Sequence, residues 1–200
     1  MPGVPSLHLG DHLETCAFDG VLHGLRRHAI GVEAQLRLVD FDRVESKNLS
    51  AQWFVKQSLG KNKAEAARLQ LANFYGVKAE AMGVRLGAHN AAQLLDGCAL
   101  AVDCFDNADS RIALSEAARA ANVPLVHAAL AADGTFGLVR WDERFTADRE
   151  DVEGQATCEG GEHLPMIGLM GAVLARTIQD FIARGDRHDH QVSLSGVMRT

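Results

Sequence analysis

Three short stretches of the chain carry side chains suited to a phosphorylated ligand. The first is Asp40-Phe41-Asp42-Arg43-Val44-Glu45, leading to Asn48-Leu49-Ser50-Ala51-Gln52. The second, Gly60-Lys61-Asn62-Lys63, opens an Ala/Glu-rich segment. The third is Asp103-Cys104-Phe105-Asp106-Asn107, with Arg111 four residues after the asparagine. A carboxylate at the end of a strand can accept hydrogen bonds from both hydroxyls of a ribose, and Asp40 is the candidate. Lys63 at a helix start combines an ammonium with free backbone N–H groups, a good environment for phosphate. Asp106, beyond a buried strand, can hold Mg²⁺ through one oxygen while phosphates supply others. Plainer readings stand beside these. Asp40 can cap a loop, Lys63 can be a solvated helix residue, and Asp106 can be the N-cap of the helix that follows. Asn48 can shape a turn, and Arg111 can bridge structural acids.

The elements that must position these residues alternate in type. Strands are expected at 6–10, 35–40, 78–86, 98–104, 124–127, 135–141 and 191–198. Residues 98–104 are a continuous apolar run, as in a strand buried on both faces. Helices are expected at 14–28, 62–75, 108–121 and 165–184, the second rich in Ala, Glu, Lys and Leu. Asp133-Gly134 is a turn signal. Residues 142–162 are acidic and poor in apolar side chains, and read as a mobile loop crossing the site. Such alternation implies a three-layer, Rossmann-like, doubly wound and mostly parallel sheet with helices on both faces. Ligands of such sheets sit beyond the carboxyl ends of the strands, where strand order reverses. That rule gathers Gly10, Asp40, Asp42 and residues 103–106 at one crevice.

The three stretches resemble the ThiF/MoeB/HesA E1-like adenylyltransferases, whose pattern runs D-x-D-x-V-E-x-x-N-L-x-R-Q, then G-x-x-K, then D-x-x-D-N-x-x-x-R. The spacing inside each stretch agrees, and the resemblance runs from about residue 35 to about residue 141. It implies one nucleotide-binding domain over residues 1–200 that activates the C-terminal carboxylate of a ubiquitin-like or sulfur-carrier protein with ATP and Mg²⁺. Gly10, Asp40, Asp42, Asn48, Gln52, Lys63, Asp106 and Asn107 would contact the nucleotide, with Asp106 also the metal ligand and a catalytic residue. Cys158, in the crossing loop, would be the nucleophile that takes the acyl group from the adenylate. An ordinary loop cysteine is the plainer reading, since Glu159 and Glu162 disfavour a thiolate. The partner would be a small β-grasp protein, and the family implies a homodimer or a heterodimer with an E1-like subunit.

The pattern also breaks. The family's first strand runs into G-x-G-x-x-G, where glycines let backbone approach phosphate. Here the stretch reads Gly10-Asp11-His12-Leu13-Glu14-Thr15, with one glycine, a bulky side chain and two acids. The gap from Gly10 to Asp40 is longer than usual, which implies an insertion near residues 18–24. Ala51 stands where the family has arginine, and no preceding helix with an arginine for a partner's site is expected. These departures leave open a catalytically impaired scaffold or a half-site that needs a partner. A nicotinamide-dependent dehydrogenase shares the sheet and the ribose acid. It would need the glycines even more and does not explain Asp106-Asn107 or Lys63.

Composition sets outer bounds. Of 200 residues 47% are hydrophobic and 23% charged, ordinary for a globular chain. The formal net charge of -6 argues against nucleic acid or an anionic membrane as the main partner. The start lacks a secretory pattern, and the apolar run 164–175 is too short to span a bilayer, so a cytoplasmic protein is expected. Cys16, Cys98, Cys104 and Cys158 form no C-x-x-C pair, which disfavours a zinc site or a disulfide framework. Cys98 and Cys104 read as core packing. His127 ends a strand near the crevice and can touch ligand. His163 reads as polar surface, and His188-Asp189-His190 as a solvated turn.

Overall fold

The computed structural model describes residues 6–9, 35–50, 52–147 and 163–200. Eight strands form one sheet in the order β3-β2-β1-β4-β5-β6-β7-β8. The strands are β1 (Ser6–Leu9), β2 (Gln35–Val39), β3 (Ala79–Met82), β4 (Cys98–Asp103), β5 (Leu125–Leu130), β6 (Phe136–Trp141), β7 (His190–Ser193) and β8 (Gly196–Arg199). Strands β1 to β5 pair in parallel, whereas β6, β7 and β8 are added antiparallel. The order reverses at β1, which lies between β2 and β4. A crevice is therefore expected beyond their carboxyl ends.

Among the described residues four helices cover the two faces: α1 (Lys63–Tyr75), α2 (Ala91–Leu94), α3 (Ala108–Ala121) and α4 (Leu164–Arg184). Because side chains alternate along a strand, each strand feeds both layers. Leu36, Leu38, Leu100 and Val102 bury under α1 and α4, with Ala64, Ala67, Leu71, Met166, Met170 and Leu174. Val39, Ala101 and Leu125 face the other way, under α2 and α3, with Leu94, Leu95, Ala113 and Leu114. The doubly wound reading holds on both faces.

Helix starts follow from short polar side chains. Asn62 caps α1 by accepting the Glu65 N–H, and Asn107 caps α3 by accepting the Ser110 N–H. Gly76 and Asn122 end these helices in left-handed conformation. By length and composition alone α4 could cross a bilayer. In this fold Met166, Ile167, Met170, Leu174, Ala175 and Ile178 are buried in the protein, and α4 lies against β5, β6 and β7.

Several boundaries differ from expectation. The strand expected at 78–86 is only Ala79–Met82, since Gly83 leaves the ladder. Strand β5 runs to Leu130, held in register by β6. The single strand expected at 191–198 is a hairpin with Leu194-Ser195 at its tip, a pair lacking the Asn-Gly or Asp-Gly signal. Strand β4 is buried only from Leu100 onward, with Ala99 exposed and Cys98 half-buried. The expected helix 14–28 lies outside the described residues.

Candidate functional site

Two clusters stand at the carboxyl edge of the sheet. The first follows β2. Asp40 is fully buried and its Oδ1 accepts the Asp42 N–H at 2.8 Å. Asn62 fastens this acid turn to the start of α1. Its Nδ2 donates to the Asp40 carbonyl at 2.7 Å and to the Asp42 carbonyl at 3.1 Å, while its Oδ1 caps the helix. A Cβ at Gly83 would lie 3.1 Å from the Asn62 side-chain carbon, so a glycine there gives this amide its room. The Lys63 N–H donates to the Asp42 carbonyl, and the Lys63 ammonium lies 3.3 Å from Asp42 Oδ2.

Lys63 is 5% exposed, so the solvated-helix reading is corrected. The ammonium stem is buried in α1's first turn, and its head is held at the strand edge by one carboxylate. Gly60 adopts φ 78° and turns the chain so that its N–H reaches the Val44 carbonyl. Val44 in turn donates to Lys61. The G-x-x-K stretch and the D-x-D stretch are thus one hydrogen-bonded unit. Asn48 is buried and its Oδ1 accepts the Glu45 N–H, which is the turn role. Gln52 is half-buried, and its N–H donates to the Asn48 carbonyl.

The second cluster follows β4. Asp103 is fully buried, and its Oδ1 accepts the Phe105 N–H at 2.7 Å. Arg111 lies 3.2 Å from Asp103 Oδ2 and donates to the carbonyls of Phe105 and Ala128. Arg111 is therefore a structural bridge. Asp106, just past this braced turn, is exposed, and Asn107 rather than Asp106 is the helix cap. That correction leaves the Asp106 carboxylate outside the helix. Neighbouring strands lie roughly 5 Å apart, so the ends of β2 and β4, two strands away, are set roughly 10 Å apart across the sheet.

Parallel register sets His127 of β5 directly beside Asp103 of β4. Its Nδ1 lies 2.5 Å from Asp103 Oδ2, and its Nε2 lies 3.0 Å from Asp142 Oδ1. Phe145 stacks on the imidazole at 4.0 Å between centroids. Asp142 also accepts hydrogen bonds from Ser115 and, at 2.5 Å, from Arg119. The histidine is 1% exposed and is enclosed rather than ligand-facing. Burial would lower its pKa, but the hydrogen bonds to Asp103 and Asp142 and the charge of Asp103 outweigh that and raise it. For Asp142 burial would raise the pKa, but hydrogen bonds from His127, Ser115 and Arg119 pull it down to about 2. Burial likewise opposes ionisation of Asp103, and Arg111 and His127 overcome it.

Sequence reasoning missed this second network. Asp142 was expected in a mobile loop, yet residues 142–144 form a turn of 3₁₀ helix with Asp142 buried. The signal lay in α3, where Arg111, Ser115 and Arg119 recur every four residues and so share one helix face. Asp189 was expected in a solvated turn. It is 3% exposed, accepts the Trp141 N–H at 3.0 Å and pairs with Arg144. His163 packs on the Gly134 turn, where a Cβ would collide with its ring. Cys98 and Cys104 are half-buried; burial raises the Cys98 thiol pKa. Gly10 and Cys158 lie outside the described residues, as does Ala51.

A doubly wound sheet with a buried acid after β2, a buried lysine opening the next helix and an exposed aspartate after β4 defines an E1-like, Rossmann-like domain. The chain belongs to the ThiF family, whose pattern matches residues 25–193. An adenylyltransferase and sulfurtransferase of Caenorhabditis briggsae is 28% identical over 74% of this chain and 40% of its own length. The sulfur carrier protein adenylyltransferase of Thermus thermophilus is 38% identical over 51% of this chain and 38% of its own. The chain thus spans well under half of these relatives. Among solved structures, E. coli MccB with ATP superposes with a TM-score of 0.73 at 14% identity, covering 96% of this chain and 63% of that one. The E. coli tRNA N6-threonylcarbamoyladenosine dehydratase TcdA gives 0.66 at 14% identity, covering 90% and 87%. At such identities the likeness shows the fold.

Proposed function

We propose that this chain is a ThiF-type adenylyltransferase domain that activates the C-terminal carboxylate of a small sulfur-carrier or ubiquitin-like protein with ATP. The observation that carries the reading is the buried Lys63 ammonium, held by Asp42 in the first turn of the helix that follows the Asp40 strand edge. A buried cation whose partner carboxylate is partly exposed can exchange that partner for a phosphate at low cost. Asp40 would hold the ribose hydroxyls. The carrier carboxylate oxygen attacks the α-phosphorus, the bond to the β-phosphate oxygen breaks, and acyl-adenylate and pyrophosphate result. Lys63 offsets charge on the departing phosphates.

Mg²⁺ belongs to the same reading. The exposed Asp106 carboxylate beyond β4 fits a cation that takes one protein oxygen and completes its shell from phosphate and water. Bound there, Mg²⁺ would neutralise phosphate charge. Transfer of the acyl group to the Cys158 thiol, with release of AMP, is the second step of this reading. A dimer, a β-grasp partner and a cytoplasmic setting complete it.

Calorimetric titration with ATP and Mg²⁺ tests the proposal, alongside Lys63→Ala and Asp106→Ala. Micromolar binding by the parent that both substitutions abolish is the expected result. No heat at millimolar ATP would sink the stand-alone enzyme. The departures at Asp11, His12, Glu14 and Ala51 would then leave a scaffold or a half-site.

A further inference from the structure

His127 has a carboxylate on each ring nitrogen, Asp103 at Nδ1 and Asp142 at Nε2. A neutral imidazole has one N–H, so it can satisfy only one of them and must turn a lone pair toward the other. Only the imidazolium donates to both. We propose that His127, as an imidazolium shared by Asp103 and Asp142, is a positioning residue for the turn that presents Asp106. Its proton fastens the segment Asp142–Phe145 to that turn.

The connection runs through short contacts. Asp103 receives His127 and Arg111 on Oδ2 and the Phe105 N–H on Oδ1. Arg111 then grips the Phe105 carbonyl, so both hydrogen-bonding groups of Phe105 are fixed immediately before Asp106. On the other side Asp142 is bound by His127, Ser115 and Arg119, and Phe145 lies flat on the imidazole. The charged groups facing His127 come from β4 (Asp103), from α3 (Arg111 and Arg119), from β6 (Arg140, its cross-strand partner) and from the turn after β6 (Asp142). Two carboxylates in contact with the ring nitrogens outweigh the half-buried Arg111 and Arg140, and Arg119 is largely exposed. Without the proton, Asp142 keeps Ser115 and Arg119 but faces a lone pair. The segment Asp142–Phe145 then separates from the turn, and Asp103 has one fewer donor with which to hold Phe105.

This inference rests on Asp106 as the magnesium-phosphate carboxylate, and its test separates the two. Nitrogen-15 NMR of the full chain should show both His127 ring nitrogens protonated at pH 6. Their titration midpoint should lie above that of an exposed histidine. The Phe105 and Phe145 amides should move with the same midpoint, and neither should titrate there in His127→Gln. Asp142→Asn, which keeps the shape, should lower the midpoint. Calorimetry with ATP and Mg²⁺ should show affinity falling about tenfold through that midpoint in the parent and flat in His127→Gln, the size expected for an outer partner of a metal-binding group. A neutral His127 at pH 6, or a Phe105 amide that ignores its midpoint, overturns the proposal. So does ATP affinity that is independent of pH. Coincident amide transitions with no ATP binding at any pH would instead sink the activation reading and leave the clamp in place.

Discussion

The cluster after β2 and the cluster after β4 use the same residue types to opposite ends. Both hold a fully buried aspartate, Asp40 or Asp103, and both pair a carboxylate with a cation. Around Asp103 the charges are shared in one network, enclosed except for the Arg119 guanidinium: His127 and Arg111 serve Asp103, while His127, Ser115 and Arg119 serve Asp142. Around Lys63 the ammonium has a carboxylate partner at 3.3 Å whose side chain is 29% exposed. An enclosed network resists change because removing one member strands a charge out of water. A pair at the rim can be remade around an incoming phosphate. The difference separates scaffold from candidate site more surely than residue type does.

The largest effect expected on this contrast is from Asp103→Ala. It should cost about 3–5 kcal/mol of unfolding free energy, read by denaturant titration, because it takes from His127 Nδ1 and from Arg111 the buried carboxylate they share. Lys63→Ala should reverse the balance. We expect a loss of about 3 kcal/mol in ATP binding or adenylate formation, with a much smaller change in denaturation midpoint. If both substitutions cost only stability, the rim cluster is scaffold too.

Asn62→Ala sits between the two cases. It removes a helix cap worth about 1 kcal/mol and the amide that ties Asp40 to Asp42, so stability and ATP affinity should fall together. The pH dependence of stability sharpens the contrast further. His127 has a raised pKa, so its contribution is complete below about pH 6.5 and is lost as pH rises through the folded value. Asp142 has a lowered pKa, so its contribution is complete above about pH 4 and fades as pH falls toward about 2. Stability should therefore peak between about pH 4 and pH 6.5, dropping by about 1 kcal/mol on the acid side after solvent screening and falling on the alkaline side as His127 loses its proton. In His127→Gln the alkaline decline should vanish. Arg176→Ala, on the exposed face of α4, should change stability by no more than about 0.5 kcal/mol.

Much of the molecule was legible in the residues. Period and composition determined the alternation of strands and helices, since a doubly covered parallel strand must be apolar on both sides, as Leu100 to Val102 are. The D-x-D, G-x-x-K and D-x-x-D-N spacings were local, and they marked the strand edge where Asp40, Lys63 and Asp106 stand. Tertiary structure alone decided what each of these touches. That Lys63 is buried and that Asn62 holds two carbonyls twenty residues away depend on how segments distant in the chain dock. The Asp103–His127–Asp142 network depends on strand register and on a turn after β6. Neither leaves a period in the sequence, because hydrogen bonds between distant segments constrain geometry without constraining spacing.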